Sequence, residues 1–307
     1  MAQNVATKIF SSIDCGQGAV RAVRYNADGN YCITCGSDKT IKLWNPNKEL
    51  LIKKYTGHGS DVLDACGSCD NAQLASGGTD KTVIYWDVGS GQIMRRYRGH
   101  VGKVNCVQFN EESTTILSGS VDSSIRAWDC RSRKPTPYQI MDEAKDSITS
   151  LQVNDHEILS SSVDGKVRRY DLRTGKMFSD FIGSAITYAV YTKDSQCVLA
   201  SSHDHTIRLL DVDSGEMLGE YTGHKNSKYM IECGLNAKDD HVISGSEDGF
   251  IYIWDLIEAK IQHKIKLKEN RVVHSISHHP EEVSLLAAMD NSIIVIGSEE
   301  FEPKDET

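Results

Sequence analysis

The sequence predicts an all-β protein in which one unit is repeated seven times. An aspartate recurs at spacings of 42, 42, 42, 40, 44 and 42 residues, at Asp38, Asp80, Asp122, Asp164, Asp204, Asp248 and Asp290. A β-branched residue follows each aspartate by three positions, which suits a half-buried strand. The four tryptophans all lie six residues after one of these aspartates. A period of about 40–45 residues that ends in Trp-Asp is typical of a β-propeller blade, so we predict seven blades.

Each copy contains four stretches with strand character, separated by turn residues. In the third copy these stretches are VNCVQFN (104–110), TTILSGS (114–120), SSIRAWD (123–129) and PTPYQIM (135–141). Every blade is therefore expected to be a four-stranded antiparallel sheet.

The seventh copy lacks a fourth strand after Ile296, whereas the chain begins with a spare one at residues 8–13. We expect this N-terminal strand to complete the last blade, because an open sheet edge would otherwise remain. Residues 1–298 then form a single propeller. Residues 299–307, EEFEPKDET, hold five acids and one lysine and are expected to be a disordered acidic tail.

Composition argues against several classes of protein. The chain is 39% hydrophobic and 25% charged, as in globular domains, and it has no apolar run of membrane-spanning length. Its start, MAQNVATKIF, does not resemble a secretory signal, and the nine cysteines are an odd number. We therefore expect reduced thiols in the cytoplasm or nucleus. Much of the net charge of −9 lies in the tail, so the body is only mildly acidic and has no global attraction for nucleic acid.

Gly57-His58, Gly99-His100 and Gly223-His224 precede a Trp-Asp pair by 28, 28 and 30 residues, and with them the chain resembles the WD-repeat propellers along its length. The resemblance implies a hydrogen-bonded chain of histidine, serine, aspartate and tryptophan in each of these three copies. Such a chain would satisfy a buried carboxylate. The residues concerned are His58, Ser76, Asp80 and Trp86, then His100, Ser118, Asp122 and Trp128, then His224, Ser244, Asp248 and Trp254. The four copies without the histidine are expected to rely on packing.

Serine, histidine and aspartate also suggest a hydrolase, but three copies of one catalytic triad would be odd. The chain has no G-x-S-x-G elbow, and its Gly-Lys pairs are not followed by the Ser or Thr of a phosphate-binding loop. Cys32-x-x-Cys35 and Cys66-x-x-Cys69 each resemble half of a zinc site. Because Cys32 and Cys35 would point to opposite faces of one strand, core positions are the better interpretation. We predict a protein that is not an enzyme, with no catalytic residues, metal or cofactor.

A finer resemblance rests on residues 14–46, DSSIRAWDCRSR (122–133), RRYDLR (168–173) and GEYTGHKN (219–226). These segments are similar to the mitogen-activated protein kinase organizer family. The resemblance implies a scaffold that binds MAP kinase cascade components and spliceosomal proteins in the cytoplasm and nucleus. Its partners would be proteins, without direct contact to nucleic acid or membrane, and the chain would be a monomer within larger complexes.

Two other functions remain open. Trp128-Asp129-Cys130-Arg131 and Tyr170-Asp171-Leu172-Arg173 fit a short pattern of WD-repeat substrate receptors of cullin-RING ubiquitin ligases. A direct RNA-binding propeller could use the basic run 131–134 and Arg168-Arg169. No aromatic residues alternate with those cations, as a base-stacking platform would need.

Partners of a propeller are expected at one mouth of its channel, where the loops that enter the innermost strands meet the turns before the aspartates. Arginine and tyrosine there are typical of binding hot spots. The predicted ring consists of Arg21, Asp61, Leu63, Lys103, Val121, His203, Tyr229, Glu247, Arg271 and Met289. A basic rim with apolar members suits an acidic or phosphorylated segment with a hydrophobic anchor. A second possible surface, at the opposite mouth, contains Arg131, Arg133 and Arg173.

Overall fold

The structure is a computed structural model that describes residues 5–154 and 156–298; the predicted tail at 299–307 lies outside them. The described residues form 28 strands in seven four-stranded antiparallel sheets, and none of them forms a helix that could cross a membrane. After β1 (Lys8–Asp14), the strands of the first three blades are β2 (Val20–Tyr25), β3 (Cys32–Gly36), β4 (Thr40–Asn45), β5 (Leu50–Thr56), β6 (Val62–Gly67), β7 (Gln73–Gly78), β8 (Thr82–Asp87), β9 (Ile93–Arg98), β10 (Val104–Phe109), β11 (Thr115–Ser120), β12 (Ile125–Asp129) and β13 (Gln139–Met141).

Blades 4 to 6 follow the same order from the channel outward. Their strands are β14 (Ile148–Val153), β15 (Glu157–Ser162), β16 (Lys166–Asp171), β17 (Lys176–Phe181), β18 (Ile186–Tyr191), β19 (Cys197–Ser202), β20 (Thr206–Asp211), β21 (Met217–Thr222), β22 (Cys233–Leu235), β23 (His241–Ser244), β24 (Phe250–Asp255) and β25 (Ile261–Lys266). Blade 7 contains β26 (Val273–His278), β27 (Ser284–Met289) and β28 (Ser292–Gly297). The seven-bladed propeller predicted from the repeat is confirmed.

The N-terminal strand closes the propeller. β1 is the outermost strand of blade 7 and pairs antiparallel with β28, from Lys8 opposite Gly297 to Asp14 opposite Ser292. Just before it, Val5 and Ala6 are buried in the apolar cluster between blades 6 and 7. The two ends of the described chain therefore hold one sheet together, and the predicted closure by residues 8–13 is confirmed.

Two blades depart from the regular pattern. The outer strand of blade 3 forms only at Gln139–Met141, because Pro135 and Pro137 earlier in the predicted stretch have no N–H to donate to a neighbouring strand. In blade 6 the two inner strands, β22 and β23, are only 3 and 4 residues long. Blade 6 is thus the most irregular part of the inner ring.

Apolar side chains fill the spaces between neighbouring blades. Trp86 lies in a cluster shared by blades 1 and 2, and Trp128 in one shared by blades 2 and 3. Cys32 and Cys35 lie on opposite faces of β3 in two different clusters. Burial raises the pKa of both thiols, and among the described residues no group of three or more His, Cys, Asp or Glu could hold a metal ion. Core packing therefore accounts for these two cysteines.

A β-bulge near the start of the innermost strand recurs in six blades. The pairing of the inner two strands shifts by one residue at Arg21, Leu63, Asn105, Thr149, Thr187 and His274. An extra residue at a bulge leaves the regular alternation and re-aims its side chain. All six side chains line the same cavity in the channel.

Candidate functional site

The hydrogen-bonded chain expected in blades 2 and 3 is present in both. In blade 2, His58 Nδ1 lies 3.0 Å from the Asp80 carboxylate and its Nε2 lies 2.8 Å from Ser76 Oγ. Trp86 Nε1 donates to the same serine oxygen at 2.9 Å. Burial alone would raise the pKa of Asp80, but hydrogen bonds from His58, Gly59 and Thr82 hold it well below its usual range. The chain thus ties the mouth of the blade to its core.

Blade 3 repeats this arrangement with nearly the same distances. His100 Nδ1 lies 3.0 Å from Asp122, and its Nε2 lies 2.8 Å from Ser118 Oγ. Burial lowers the pKa of His100, which keeps its imidazole neutral near pH 7. The neutral ring donates from Nδ1 to the carboxylate and accepts from Ser118 at Nε2.

The third chain, in blade 6, does not form, and its prediction is wrong. Neither ring nitrogen of His224 has a hydrogen-bond partner. Trp254 Nε1 donates instead to the Thr222 carbonyl at 2.9 Å, and Ser244 Oγ donates to the Gly245 carbonyl. Asp248 turns away from the histidine, toward the Tyr252 hydroxyl at 2.8 Å.

The physical reason is the lengthened loop between blades 5 and 6. The innermost strand begins 4 residues after His58 and His100 but 9 residues after His224. Glu247 holds this loop by accepting from the N–H groups of residues 227, 228 and 229 at 2.7, 2.6 and 3.1 Å. Trp254 and Tyr252 pack edge-on against the His224 ring, which burial keeps neutral by lowering its pKa to about 4.

Three of the four copies without the histidine use other polar groups, not packing alone. In blade 1 the fully buried Gln17 replaces it: its Oε1 accepts from Thr34 at 2.5 Å and its Nε2 donates to the Thr40 carbonyl at 2.9 Å. In blades 4 and 5 an arginine four residues after the aspartate binds it, Arg168 at 2.5 Å and Arg208 at 2.7 Å. Arg168 binds Asp164 through two guanidinium nitrogens and Arg208 binds Asp204 through one, so a positive charge replaces the histidine as the partner of the carboxylate.

The channel opens at one mouth into a cavity of 270 Å³. Its wall contains the six bulge residues, together with Tyr188, Lys228, Tyr229 and Met230. Tyr229 packs edge-on against His274, with ring centroids 5.4 Å apart. The cavity thus combines aromatic, apolar and cationic side chains from the inner strands and from the loop held by Glu247, which is a composition typical of protein-binding hot spots.

A buried ion network closes the floor of this cavity. The Arg24 guanidinium contacts both Glu232 oxygens, at 2.6 and 2.9 Å, and Asp64 Oδ1 at 3.0 Å. It also donates to Ser275 Oγ at 2.9 Å, so one side chain joins blades 1, 2, 6 and 7. Burial raises the pKa of Asp64 to about 6 although Arg24 opposes the shift. Both oxygens of Asp64 and of Glu232 are therefore engaged at the floor, and a ligand entering from the mouth meets the wall residues first.

The predicted ring lies at this mouth, but its members have different surroundings. Arg21, Leu63 and Tyr229 line the cavity. Arg21 Nη2 lies 3.8 Å from Asp61, and Arg271 Nε lies 3.3 Å from Asp290, with the arginine side chains 36% and 53% exposed. Both arginines can therefore exchange an intramolecular carboxylate for one from a partner.

The other members divide into exposed and engaged residues. Val121 and Lys103 are exposed next to each other, because the Val121 N–H donates to the Lys103 carbonyl. The His203 N–H makes the equivalent bond to Ala185. The Glu247 carboxylate is occupied by the loop it holds. The prediction that Met289 belongs to the ring at the mouth is wrong. This residue ends β27 and is buried in the cluster between blades 6 and 7, so a partner cannot reach it.

Comparison with known proteins agrees with the repeat. The family model described as "WD domain, G-beta repeat" matches residues 8–45, 49–87, 91–129 and 215–255. The chain belongs to the WD-repeat family. Each matched span ends one residue after a tryptophan, and no span covers the aspartates of the three copies without a tryptophan, Asp164, Asp204 and Asp290.

Relatives align with nearly the whole WD-repeat chain. "WD repeat domain-containing protein 83" of Homo sapiens is 58% identical over 298 residues, covering 97% of this chain and 94% of its own length. The protein of the same name from Xenopus laevis is 59% identical over 294 residues, with coverage of 96% and 93%. A homolog from Dictyostelium discoideum is 36% identical over 304 residues, covering 90% and 94%. These names describe a WD-repeat domain and state no enzymatic activity.

Sequence reasoning missed four bulge residues that line this WD-repeat cavity: Asn105, Thr149, Thr187 and His274. A signal for two of them was available. Arg21, Leu63, Asn105 and Thr187 each precede the repeat's aspartate by 17 residues. The separation from the repeat's aspartate is 15 residues for Thr149 and 16 for His274, because the loops of those copies have different lengths. The floor residues had no such signal, because Glu232 belongs to the irregular loop of blade 6.

The second predicted surface lies at the other end of the WD-repeat propeller, where the third strand of each blade ends. The Arg131 and Arg173 side chains are 78% and 67% exposed there. Each also lies near the aspartate two residues before it, at 3.7 Å from Asp129 and 3.9 Å from Asp171. Arg133 is exposed on the same loop as Arg131. These arginines are therefore available to a partner, but at the mouth opposite the cavity.

Proposed function

We propose that this chain is a non-enzymatic scaffold that assembles multiprotein complexes and binds its principal partner at the channel mouth. The observation that carries the proposal is the cavity lined by Arg21, Leu63, Tyr229 and the other bulge residues. Strands present Arg21 and Leu63, and Glu247 holds the loop that carries Tyr229, so binding costs little ordering of the protein. An acidic or phosphorylated segment with a hydrophobic anchor fits best: its anchor enters beside Tyr229 and Leu63, and its charges meet Arg21 and Arg271.

The complexes we propose are those that the resemblance implied, namely MAP kinase cascades and pre-mRNA splicing assemblies, in the cytoplasm and nucleus. Support comes from the quoted segments at 14–46, 122–133, 168–173 and 219–226. Protein contacts are the expected mode of association with the spliceosome, because the chain carries a net charge of −9.

Affinity capture with mass spectrometry, from cytoplasmic and nuclear extracts separately, tests this function. Arg21→Glu with Arg271→Glu is expected to abolish capture of at least one main partner and to leave the melting midpoint within a few degrees, because both side chains are solvent-exposed at the mouth. The matched variant is Arg131→Glu with Arg133→Glu, which makes the same charge change at the opposite mouth. Retention of every partner by the first variant and loss by the second would place the interface at the opposite mouth.

A second candidate function is that of a substrate receptor for a cullin-RING ubiquitin ligase. The exposure of both Arg131 and Arg173 favours it, since the corresponding pattern needs an accessible arginine. Arg131→Glu with Arg173→Glu should then remove ligase subunits from the captured proteins. Their absence from capture by the unmodified chain would reject this function.

A further inference from the structure

A second concave surface lies away from the channel, at the outer rim of blade 2. Its cavity has a volume of 450 Å³. The lining residues include Lys81, from the turn between β7 and β8, and Arg96 and Arg98, from the outermost strand β9. These three residues, called the blade 2 basic site below, are all exposed.

The register of β9 places the three cations together. Thr82 pairs with Arg98 and Ile84 pairs with Arg96, so the two arginine side chains, two residues apart, point to the same face of the strand. Side chains at this spacing start about 7 Å apart. Lys81 directly precedes Thr82 and therefore lies beside Arg98. Glycine at position 57 leaves room for Arg96, since a Cβ there would stand 3.1 Å from its Nη2.

The positive charge of this site is not balanced within the molecule. Among residues 5–154 and 156–298, no carboxylate oxygen lies within 4.0 Å of the charged nitrogens of Lys81, Arg96 or Arg98. The one acid in the lining, Asp80, accepts hydrogen bonds from His58, the Gly59 N–H and Thr82. Its oxygens are therefore occupied by the structural chain of blade 2.

The corresponding cations of blade 6 show what a balanced pair looks like. Lys264 and Lys266 occupy the same register, opposite Tyr252 and Phe250. Lys264 lies over the Phe250 ring at 4.0 Å and within 3.8 Å of Asp248, and Lys266 pairs with Glu269. Blade 2 has cations at the same two positions but none of these partners.

We propose that the blade 2 basic site binds a phosphorylated segment of a partner protein, independently of the channel mouth. Two guanidinium forks and an ammonium group suit a phosphate, whose charge of about −2 neutralises them better than a carboxylate does. Ile93 is half-buried on the same face of β9 as Arg96, because the β-bulge at Met94 pairs Ile93 with Trp86, and Gly57 faces both side chains. The segment therefore carries an apolar residue beside its phosphates. A nucleic acid fits less well, because no exposed aromatic side chain lines the cavity.

The test uses the full-length chain and a fluorescein-labelled peptide with two phosphoserines separated by one residue and a leucine before them. Fluorescence anisotropy should show binding that the unphosphorylated peptide lacks. Arg96→Glu with Arg98→Glu should weaken the Kd at least about tenfold, since each charge-assisted contact is worth about that much. The matched variant, Lys264→Glu with Lys266→Glu, should change it less than about twofold, because those cations are already paired. Arg21→Glu with Arg271→Glu should leave it unchanged.

Three results would overturn the proposal. Equal affinity for the peptides with and without phosphate would show that the site does not recognise the phosphate groups. An equal loss in the blade 6 variant would show attraction by overall charge. Tighter binding of an oligouridine of the same net charge would make the site a nucleic-acid surface. If the charge-reversed variant melts at a lower temperature, Arg96→Gln with Arg98→Gln replaces it in the binding assay, because this variant introduces no acid. It should also weaken binding of the phosphorylated peptide.

Discussion

Replacing the repeat's aspartate should have unequal effects in blades 3 and 6, although the two copies look alike in the sequence. In Asp122→Ala, His100 Nδ1 loses its partner at 3.0 Å, the Val101 N–H its acceptor at 2.8 Å and Ser124 Oγ its acceptor at 2.6 Å. His100 is only 7% exposed, so water cannot replace the carboxylate at its ring. An unpaired buried donor costs about 1–3 kcal/mol, and the loss of the other two bonds adds about 1 kcal/mol.

Asp248→Ala removes much less. The carboxylate accepts from the Tyr252 hydroxyl at 2.8 Å and from the Phe250 N–H at 3.3 Å, and it makes no contact with His224. Both bonds are only partly buried and the second is long, so we expect a loss of about 1 kcal/mol or less.

Urea unfolding followed by tryptophan fluorescence measures both values, and Trp128 and Trp254 place a reporter in each blade. Asp122→Asn is the control for shape, since it keeps the size of the side chain and removes the charge. A free-energy loss for Asp248→Ala equal to that for Asp122→Ala would refute the reasoning. It would mean that His224 and Asp248 do form a hydrogen bond in solution.

Two further predictions follow from the same structure. Deleting residues 1–13 should lower the melting midpoint by many degrees, because it removes nearly all of β1 and exposes the edge of β28, where Ile293 and Ile296 are fully buried. An unchanged midpoint in a thermal scan would mean that another segment closes blade 7. Acid should destabilise the fold steeply below about pH 4. In the folded state the pKa of Asp80 and Asp122 lies well below the usual 3.8, and the pKa of Asp204 is lowered to about 2. The stability that these carboxylates contribute is therefore present above pH 3.8 and lost as the pH falls through their folded-state pKa values. Asp64, raised to about 6, acts oppositely and favours folding below pH 3.8, with the benefit lost as pH rises through 6. Unfolding free energies from pH 2 to 7 for the unmodified chain and Asp122→Asn check this, and parallel curves would contradict it.

The site was predictable only where a residue occupies a repeated position. The register of each blade follows from the periodic aspartates, so His58 and His100 could be assigned to hydrogen-bonded chains from spacing and family resemblance. Gln17 could not, because it substitutes for histidine through a different set of bonds to Thr34 and Thr40. His224 misled the prediction, since the motif is present and the loop after it is longer.

By itself the sequence determined the fold class, the number of blades and the strand that closes them, because each depends on a local pattern repeated seven times. Only the tertiary structure decided which side chains meet across blades. Arg24 joins Asp64 and Glu232, which is 208 residues away in the chain, and no periodic pattern records such a pairing. The same holds for the blade 2 basic site. Arg96 and Arg98 have counterparts in Lys264 and Lys266, and whether such cations are free or paired depends on the acids that the folded neighbours bring within reach.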